Sequence, residues 1–406
     1  MKRIMMGRLV LVCTVSFLLL GLVAIEAHAA QDKILLGAAI SMTGKFAREG
    51  GELKGGYDFW RDWVNGRGGI NVGGKKYKVD IIYYDDKSDT MTAAKLTEKL
   101  ITEDKVNFLL APYSSAIAFA TSAIAERYGY ITIAGAANSD ALYERGYKYL
   151  FSVLPPASKD FNYTADLLAR QKPAPKTVAI LALDSLLTIL STDGLRDHIK
   201  TLGLQEVYYT KFPAKTTDFS AMLTVIKAKN PDLIFFGGYF EDSVPFLKQC
   251  KELNVNPKAY AFLTAPQFED WVKILGKDGD DVFSVMYWAR AMKWKGPYFD
   301  VKSFSDTFQK QTGTAMRLYN AQGAAGCVLL QIAIEKAGTL DQAKVREALS
   351  KMDVTTFWGP FKVDEKGKNV KGRIAILQVQ NGKVVSVDPP EAGAKVIYPT
   401  PPWNKR

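Results

Sequence analysis

The chain has 406 residues, 48% hydrophobic and 12% aromatic, with 53 Lys and Arg against 42 Asp and Glu for a formal charge of +11. That balance excludes a disordered or fibrous chain, and the length exceeds what one ordinary core fills, so two domains are expected. The basic residues are scattered without a run of five or six, which reads as a solvated surface and argues against a nucleic-acid partner.

The chain opens on Lys2, Arg3 and Arg8, followed by an apolar stretch over 9–22 that closes on Ala27-His28-Ala29. A positive start, a short apolar core and a small-x-small end predict a signal peptide over 1–29, cleaved after Ala29, and an exported product. Cys13 follows Val12 and lies too early for a lipidation site. Loss of Lys2, Arg3, Arg8 and Glu26 leaves a formal charge of +9. No later segment offers the roughly 18 apolar residues that a membrane helix needs.

The next segments alternate between two periodicities. A strand is predicted over 34–40, a Gly-rich loop over 41–51, and a helix over 52–65 with Leu53, Tyr57, Trp60 and Val64 on one face. Gly66, Gly68 and Gly69 stop that helix. A strand over 77–84 runs into Asp85-Asp86, then come a helix over 92–103, a strand over 108–111, a helix opening near Ser114-Ser115 and a strand over 131–134. After Pro155-Pro156 the pattern restarts, with helices over 161–170, 192–202, 219–229 and 243–253 between strands over 177–183, 207–212 and 233–236. Repeated strand–helix–strand units imply parallel sheets covered by helices, and two runs imply two doubly wound lobes. Ligands of such sheets bind on loops at the carboxyl ends of strands. Those loops are 41–51, 85–90, 111–116, 134–140, 184–191 and 237–242.

Enzyme chemistry finds little support. Beyond the leader the one histidine is His198, beside Leu195-Arg196-Asp197 on a charged face, and it offers no zinc set and no Ser–His pair. Asp85-Asp86 reads as a structural pair before it reads as a metal or acid–base site. No Walker pattern is present. Cys250 and Cys327 sit in apolar helical stretches and are expected to be free, buried thiols. No catalytic residue, metal or cofactor is therefore expected.

Several fragments occur in a recognisable order: Gly68-Gly69-Ile70, Gly73-Gly74-Lys75, YYDDKSD at 83–89, Pro112 to Ser115, GGY at 237–239 and TTFWGPFKVDEKG at 355–367. Over nearly the whole mature chain they resemble the leucine/isoleucine/valine-type, or amino-acid and amide-type, periplasmic binding proteins of ABC importers. The resemblance implies an α/β, type I periplasmic binding protein: two doubly wound parallel-sheet lobes joined by a three-segment hinge. Crossings near Pro155, Ser284 and Val354 would assign 30–155 and 285–353 to lobe I, and 156–284 and 354–406 to lobe II. It implies a periplasmic monomer that closes on a small-molecule ligand and delivers it to a permease at the inner membrane. A periplasmic sensing module is the rival class.

The resemblance also proposes site residues. Tyr113, Ser114 and Ser115 lie on the loop where the family holds a ligand carboxylate; independently, a helix start offers free N–H donors and a favourable dipole to an anion. Ala136 stands where the backbone accepts the ligand's amino hydrogens. Asn138 replaces the usual Thr or Ser. Phe46 and Glu49 stand where the family faces the ligand side chain, and Tyr239 stands at the aromatic wall. Arg317, which with Tyr319 is read as preceding the helix that carries Cys327, is either a carboxylate clamp or a surface arginine. Gln267 lies in Thr264-Ala265-Pro266-Gln267, where amino-acid binders place an acid; Glu269 and Asp270 fall past that position. Residues 185–190 are mostly apolar where a Tyr–Gly pair is common. The expected solute is a carboxylate with an apolar or aromatic body, the alternative an α-amino acid. Ser88 and Ser114 stand where some members carry a disulfide.

Overall fold

The computed structural model describes residues 33–389 and 393–406; the predicted signal peptide lies outside the described residues. The fold is mixed α/β, built on two largely parallel sheets. The first has the order Ile70–Val72, Lys75–Asp85, Lys33–Ile40, Phe108–Leu110, Thr132–Ala134, Leu150–Ser152. Lys33–Ile40 pairs in parallel along the whole of its length, from Lys33 opposite Lys78 to Ile40 opposite Asp85. Helices cover both of its faces, so its apolar residues run without alternation.

The second sheet has the order Lys383–Asp388, Ala375–Gln380, Phe283–Met286, Ala259–Phe262, Leu233–Gly237, Thr177–Leu183, Gln205–Phe212. The five strands between 177 and 286 are parallel, and the two from 375 onward add antiparallel. Between Phe283–Met286 and Ala375–Gln380 the chain inserts the helices Val301–Thr312, Leu318–Ala337 and Gln342–Ser350. The first two pack on Ala47–Gly66, a helix of the first sheet, and Trp60 Nε1 donates to Gln331 Oε1 across that interface at 3.1 Å.

Two helices begin five or six residues earlier than the sequence pattern suggests. Ala47–Gly66 takes in Gly50 and Gly51, which read as loop. Gly50 serves close approach: a Cβ there would sit 2.0 Å from the Ser41 carbonyl oxygen. Gly56 does the same against the Asn320 carbonyl, also at 2.0 Å. Leu186–Thr201 absorbs most of the predicted 184–191 loop, because the Thr188 hydroxyl bonds back to the Leu183 carbonyl and meets the Ser185 hydroxyl at 2.8 Å.

Cys250 and Cys327 are both buried and free. His198 Nε2 meets Asp166 Oδ1 at 2.8 Å, tying two neighbouring helices. Among the described residues no helix is long and apolar enough to cross a membrane.

Candidate functional site

The strand-end loops of the two sheets face each other. On the first sheet, Asp85 holds the loop after Lys33–Ile40: its Oδ1 accepts from the Met42 and Thr43 amides at 2.9 and 3.1 Å, and its Oδ2 accepts from the Thr43 hydroxyl at 2.6 Å. Those bonds hold the Asp85 carboxyl below the usual range, against the opposing effect of partial burial. Asp86 Oδ1 accepts from the Ser41 hydroxyl and the Ser88 amide, both at 2.7 Å. Ser88 Oγ accepts from the Phe46 amide at 3.0 Å and donates to the Thr43 carbonyl at 2.9 Å. These hydrogen bonds orient Phe46 and bring Glu49, in the first helical turn rather than in the loop, into the interior.

Ser114 is the N-cap of Ser115–Tyr128, with extended φ and ψ of −76° and 132°, and its side chain makes no capping bond. Both serines are buried, and Ser115 Oγ accepts from the Ser139 amide at 3.3 Å. The first turn thus presents amide donors and hydroxyls to the space between the sheets. Opposite, the Tyr239 hydroxyl lies beside those of Ser185 and Ser114; burial raises its ionisation well above the usual tyrosine range. Tyr239 is the N-cap of Phe240–Glu252 and is held by its amide donating to Asp242 Oδ2 at 3.1 Å.

Aromatic rings from both sides line this space. Phe46 packs 5.6 Å from Tyr113 and 5.4 Å, edge-on, from Tyr239. Tyr113 meets Tyr319 edge-on at 5.0 Å, with their hydroxyls 3.3 Å apart. Glu49 points among these tyrosines and is 5% exposed; its Oε2 has no hydrogen-bond partner. Burial pushes its carboxyl up to about 7; its own backbone amide and Arg48 pull down, and Glu241 and Glu52 push up further.

The remaining expected site residues divide. Ala136 is buried beside the Ser139 loop. Asn138 turns its side chain away: Nδ2 donates to the Pro155 carbonyl at 2.9 Å and lies 3.3 Å from Asp160 Oδ1 and from the Tyr287 hydroxyl. Gln267, in the short turn Ala265–Gln267, donates Nε2 to the Tyr319 hydroxyl at 2.8 Å. Tyr319 lies inside the helix Leu318–Ala337, not before it, and Arg317 is that helix's N-cap. The half-exposed Arg317 guanidinium pairs with Glu52 at 3.1 Å and Glu269 at 3.7 Å, so its charge is already answered within the protein.

Other residues at the cleft carry no local sequence signal. Lys45–Asp242 at 3.9 Å and Arg48–Asp270 at 3.2 Å bridge the two sides, and the Ser139 hydroxyl donates to the Leu186 carbonyl at 3.3 Å. Asp160, fully buried, accepts from Tyr287 at 2.7 Å, Ser191 at 2.9 Å and Asn138 at 3.3 Å. It joins the strand-end loop that carries Asn138 to Tyr287, just past Phe283–Met286, and to Ser191 of the helix Leu186–Thr201. Among the described residues no three His, Cys, Asp or Glu side chains gather as a metal set.

The family model for periplasmic binding proteins matches residues 33–383. The chain is 25% identical to a Brucella abortus Leu/Ile/Val-binding protein homolog 7, covering 93% of this chain and 97% of that one. In fold it is similar to the Streptococcus pneumoniae branched-chain amino acid transporter substrate-binding protein LivJ, solved with isoleucine, at a TM-score of 0.76 and 23% identity over 90% of this chain and all of that one. An R. palustris solute-binding protein of an ABC transporter, solved with benzoate, aligns at a TM-score of 0.73 and 20% identity, covering 87% and 95% of the two chains. With two parallel sheets facing across a cleft and a family match over most of its length, the chain belongs to the periplasmic binding proteins, among relatives of the Leu/Ile/Val-binding type.

Proposed function

We propose that the protein is the periplasmic, monomeric receptor of a branched-chain amino acid-type ABC importer. It captures a small carboxylate-bearing, largely apolar or aromatic solute by lobe closure and delivers it to the permease. The lobes are 30–155 with 285–353, and 156–284 with 354–406, once the leader 1–29 is removed. The observation that carries the reading is the buried helix start at Ser114-Ser115, set against aromatic rings from both sides of the cleft. An anion gains amide donors there without needing a cationic side chain, while the rings take the apolar body. Lobe closure follows from the ion pairs that already span the gap. A non-enzymatic role agrees with the family.

A second reading, an α-amino acid, is favoured by the unpartnered Glu49 oxygen. A buried carboxylate without a partner is costly, and a ligand ammonium would answer it. Thermal-shift screening of the exported protein with aliphatic acids, aryl acids and amino acids tests both readings, because ligands of the folded state raise the midpoint. Mass spectrometry of material co-purifying with the protein names the solute. A panel in which no carboxylate raises the midpoint overturns the reading.

A further inference from the structure

We propose that the solute's body lies in a second compartment beyond Tyr319, so that the solute is an elongated aryl or alkyl acid, longer than a single amino acid. The proposal rests on the carboxylate reading above and fixes the size and chemistry of the far end.

A cavity of about 420 Å³ is lined by Tyr319, whose ring packs on Tyr113 of the serine-site loop. That volume falls within the range of small-molecule sites. Tyr319 and Gln267 line it, and both also border the inner cluster, so their 2.8 Å hydrogen bond is the partition between the two spaces. The bond joins residues from opposite sides of the cleft, and a solute entering the serine site can displace it without breaking a helix or strand. Past the partition, the walls are Met316 on one side, Phe268 and Val384 on the other, and Met286 and Trp288 on the crossing segment. Trp288 gives its indole N–H to the Phe357 carbonyl at 2.9 Å, so it offers the cavity only apolar ring. Methionines on two walls adapt readily to the shape of an apolar guest.

The charged groups in the lining are largely paired with one another. Arg48 pairs with Asp270, and Arg317 pairs with Glu52 and Glu269. Arg290, exposed at the rim, has no ion-pair partner among the described residues. An apolar interior with one unanswered cation at its mouth suits an aryl or alkyl chain, tolerates a terminal anion and disfavours a terminal ammonium.

The test compares 4-methylpentanoate with 5-phenylpentanoate by calorimetry on the wild type, Met316→Trp and Val384→Trp. The wild type should bind the aryl acid at least about tenfold more tightly, as burial of a ring predicts. Each variant, filling the cavity from an opposite wall, should erase that preference and leave the short acid within about twofold of the wild type. If both acids bind the wild type alike, or the preference survives in both variants, the second compartment is wrong and the serine site stands. If neither acid binds the wild type, the carboxylate reading fails and takes this inference with it.

Discussion

Glu49 and Asp160 are both buried carboxylates whose pKa burial pushes up to about 7, yet they are built into the protein in opposite ways. Asp160 sits at the crossing with both oxygens bonded, by Tyr287, Ser191 and Asn138. Glu49 sits in the cleft with Oε2 bare. Desolvation is common to the two; satisfaction is not. A buried polar group with all its partners specifies structure, whereas one left without a partner marks a place where something else is to bind. The crossing is thus finished in the absence of solute, and the cleft is not.

The largest expected effect is on stability against pH, and the two carboxylates share it. Each has a folded pKa of about 7, raised above its ordinary unfolded value of 4.5 for Glu49 and 3.8 for Asp160. Between those values the folded state binds the extra proton, so each contribution is full below the unfolded pKa and is lost as pH rises through about 7. Relative to wild type, Glu49→Gln should gain stability from pH 5 to 8, on the order of 3 kcal/mol in total. Urea unfolding of both proteins at several pH values measures the difference; parallel curves would place Glu49 in water.

Removing the satisfied carboxylate should cost stability at low pH, where the folded Asp160 is neutral and bonded, and cost less as pH rises through about 7. Asp160→Ala takes the acceptor from the Tyr287 hydroxyl and leaves Ser191 only the Leu187 carbonyl, and a loss of about 2 kcal/mol is expected at pH 5. Glu49→Gln at that pH should raise stability by only about 1 kcal/mol, because the folded Glu49 is neutral and the unfolded one is just past its titration. If the two variants prove equally destabilised, the contrast between crossing and cleft fails.

The sequence makes the parts of this contrast unequally legible. Long apolar strands read cleanly: 177–183 is the observed Thr177–Leu183, and 34–40 differs by one residue from Lys33–Ile40. Leu150–Ser152 escapes notice because a three-residue strand exists only through its pairing with Thr132–Ala134. Gly50 and Gly51 read as loop because local propensity disfavours glycine in a helix, while the fold needs the missing Cβ. In the cleft, Phe46, Glu49, Tyr113, Ser114, Ser115 and Tyr239 lie on strand-end loops or at the helix starts that follow, where parallel α/β sheets present their ligands. Asn138 belongs to the same loops, yet its side chain serves Asp160 and Tyr287, which lie far off in sequence and share no periodicity with it.

A moderate effect is expected on binding. Ser115→Ala removes a hydroxyl from the helix start and should weaken every carboxylate ligand by about 1–3 kcal/mol, the range for a charged hydrogen bond. Calorimetry on the variant measures it. Because the Ser115 Oγ also accepts from the Ser139 amide, a parallel melting curve is needed to separate lost binding from a displaced loop. Unchanged affinity with unchanged stability would move the carboxylate elsewhere.

The smallest effect concerns whether the cleft wants a positive charge. Gln267→Glu would place an acid where the wild type donates an N–H to Tyr319. The tyrosine can reverse its role and donate, so stability should change little. A simple acid would then bind more weakly, by about 1 kcal/mol through like-charge repulsion at partial burial, and its α-amino analogue would bind more tightly by a similar amount. The pH dependence of wild-type binding provides the companion measurement. An ammonium paired with Glu49 would draw the Glu49 carboxyl back down, so an amino acid should bind more tightly as pH rises toward about 7. A plain acid, held against the neutral Glu49, should instead weaken as pH passes that value. If leucine already surpasses its deaminated analogue on the wild type and its affinity climbs with pH, Glu49 is the counter-charge that the Gln267 position lacks, and the zwitterion replaces the plain acid as the solute.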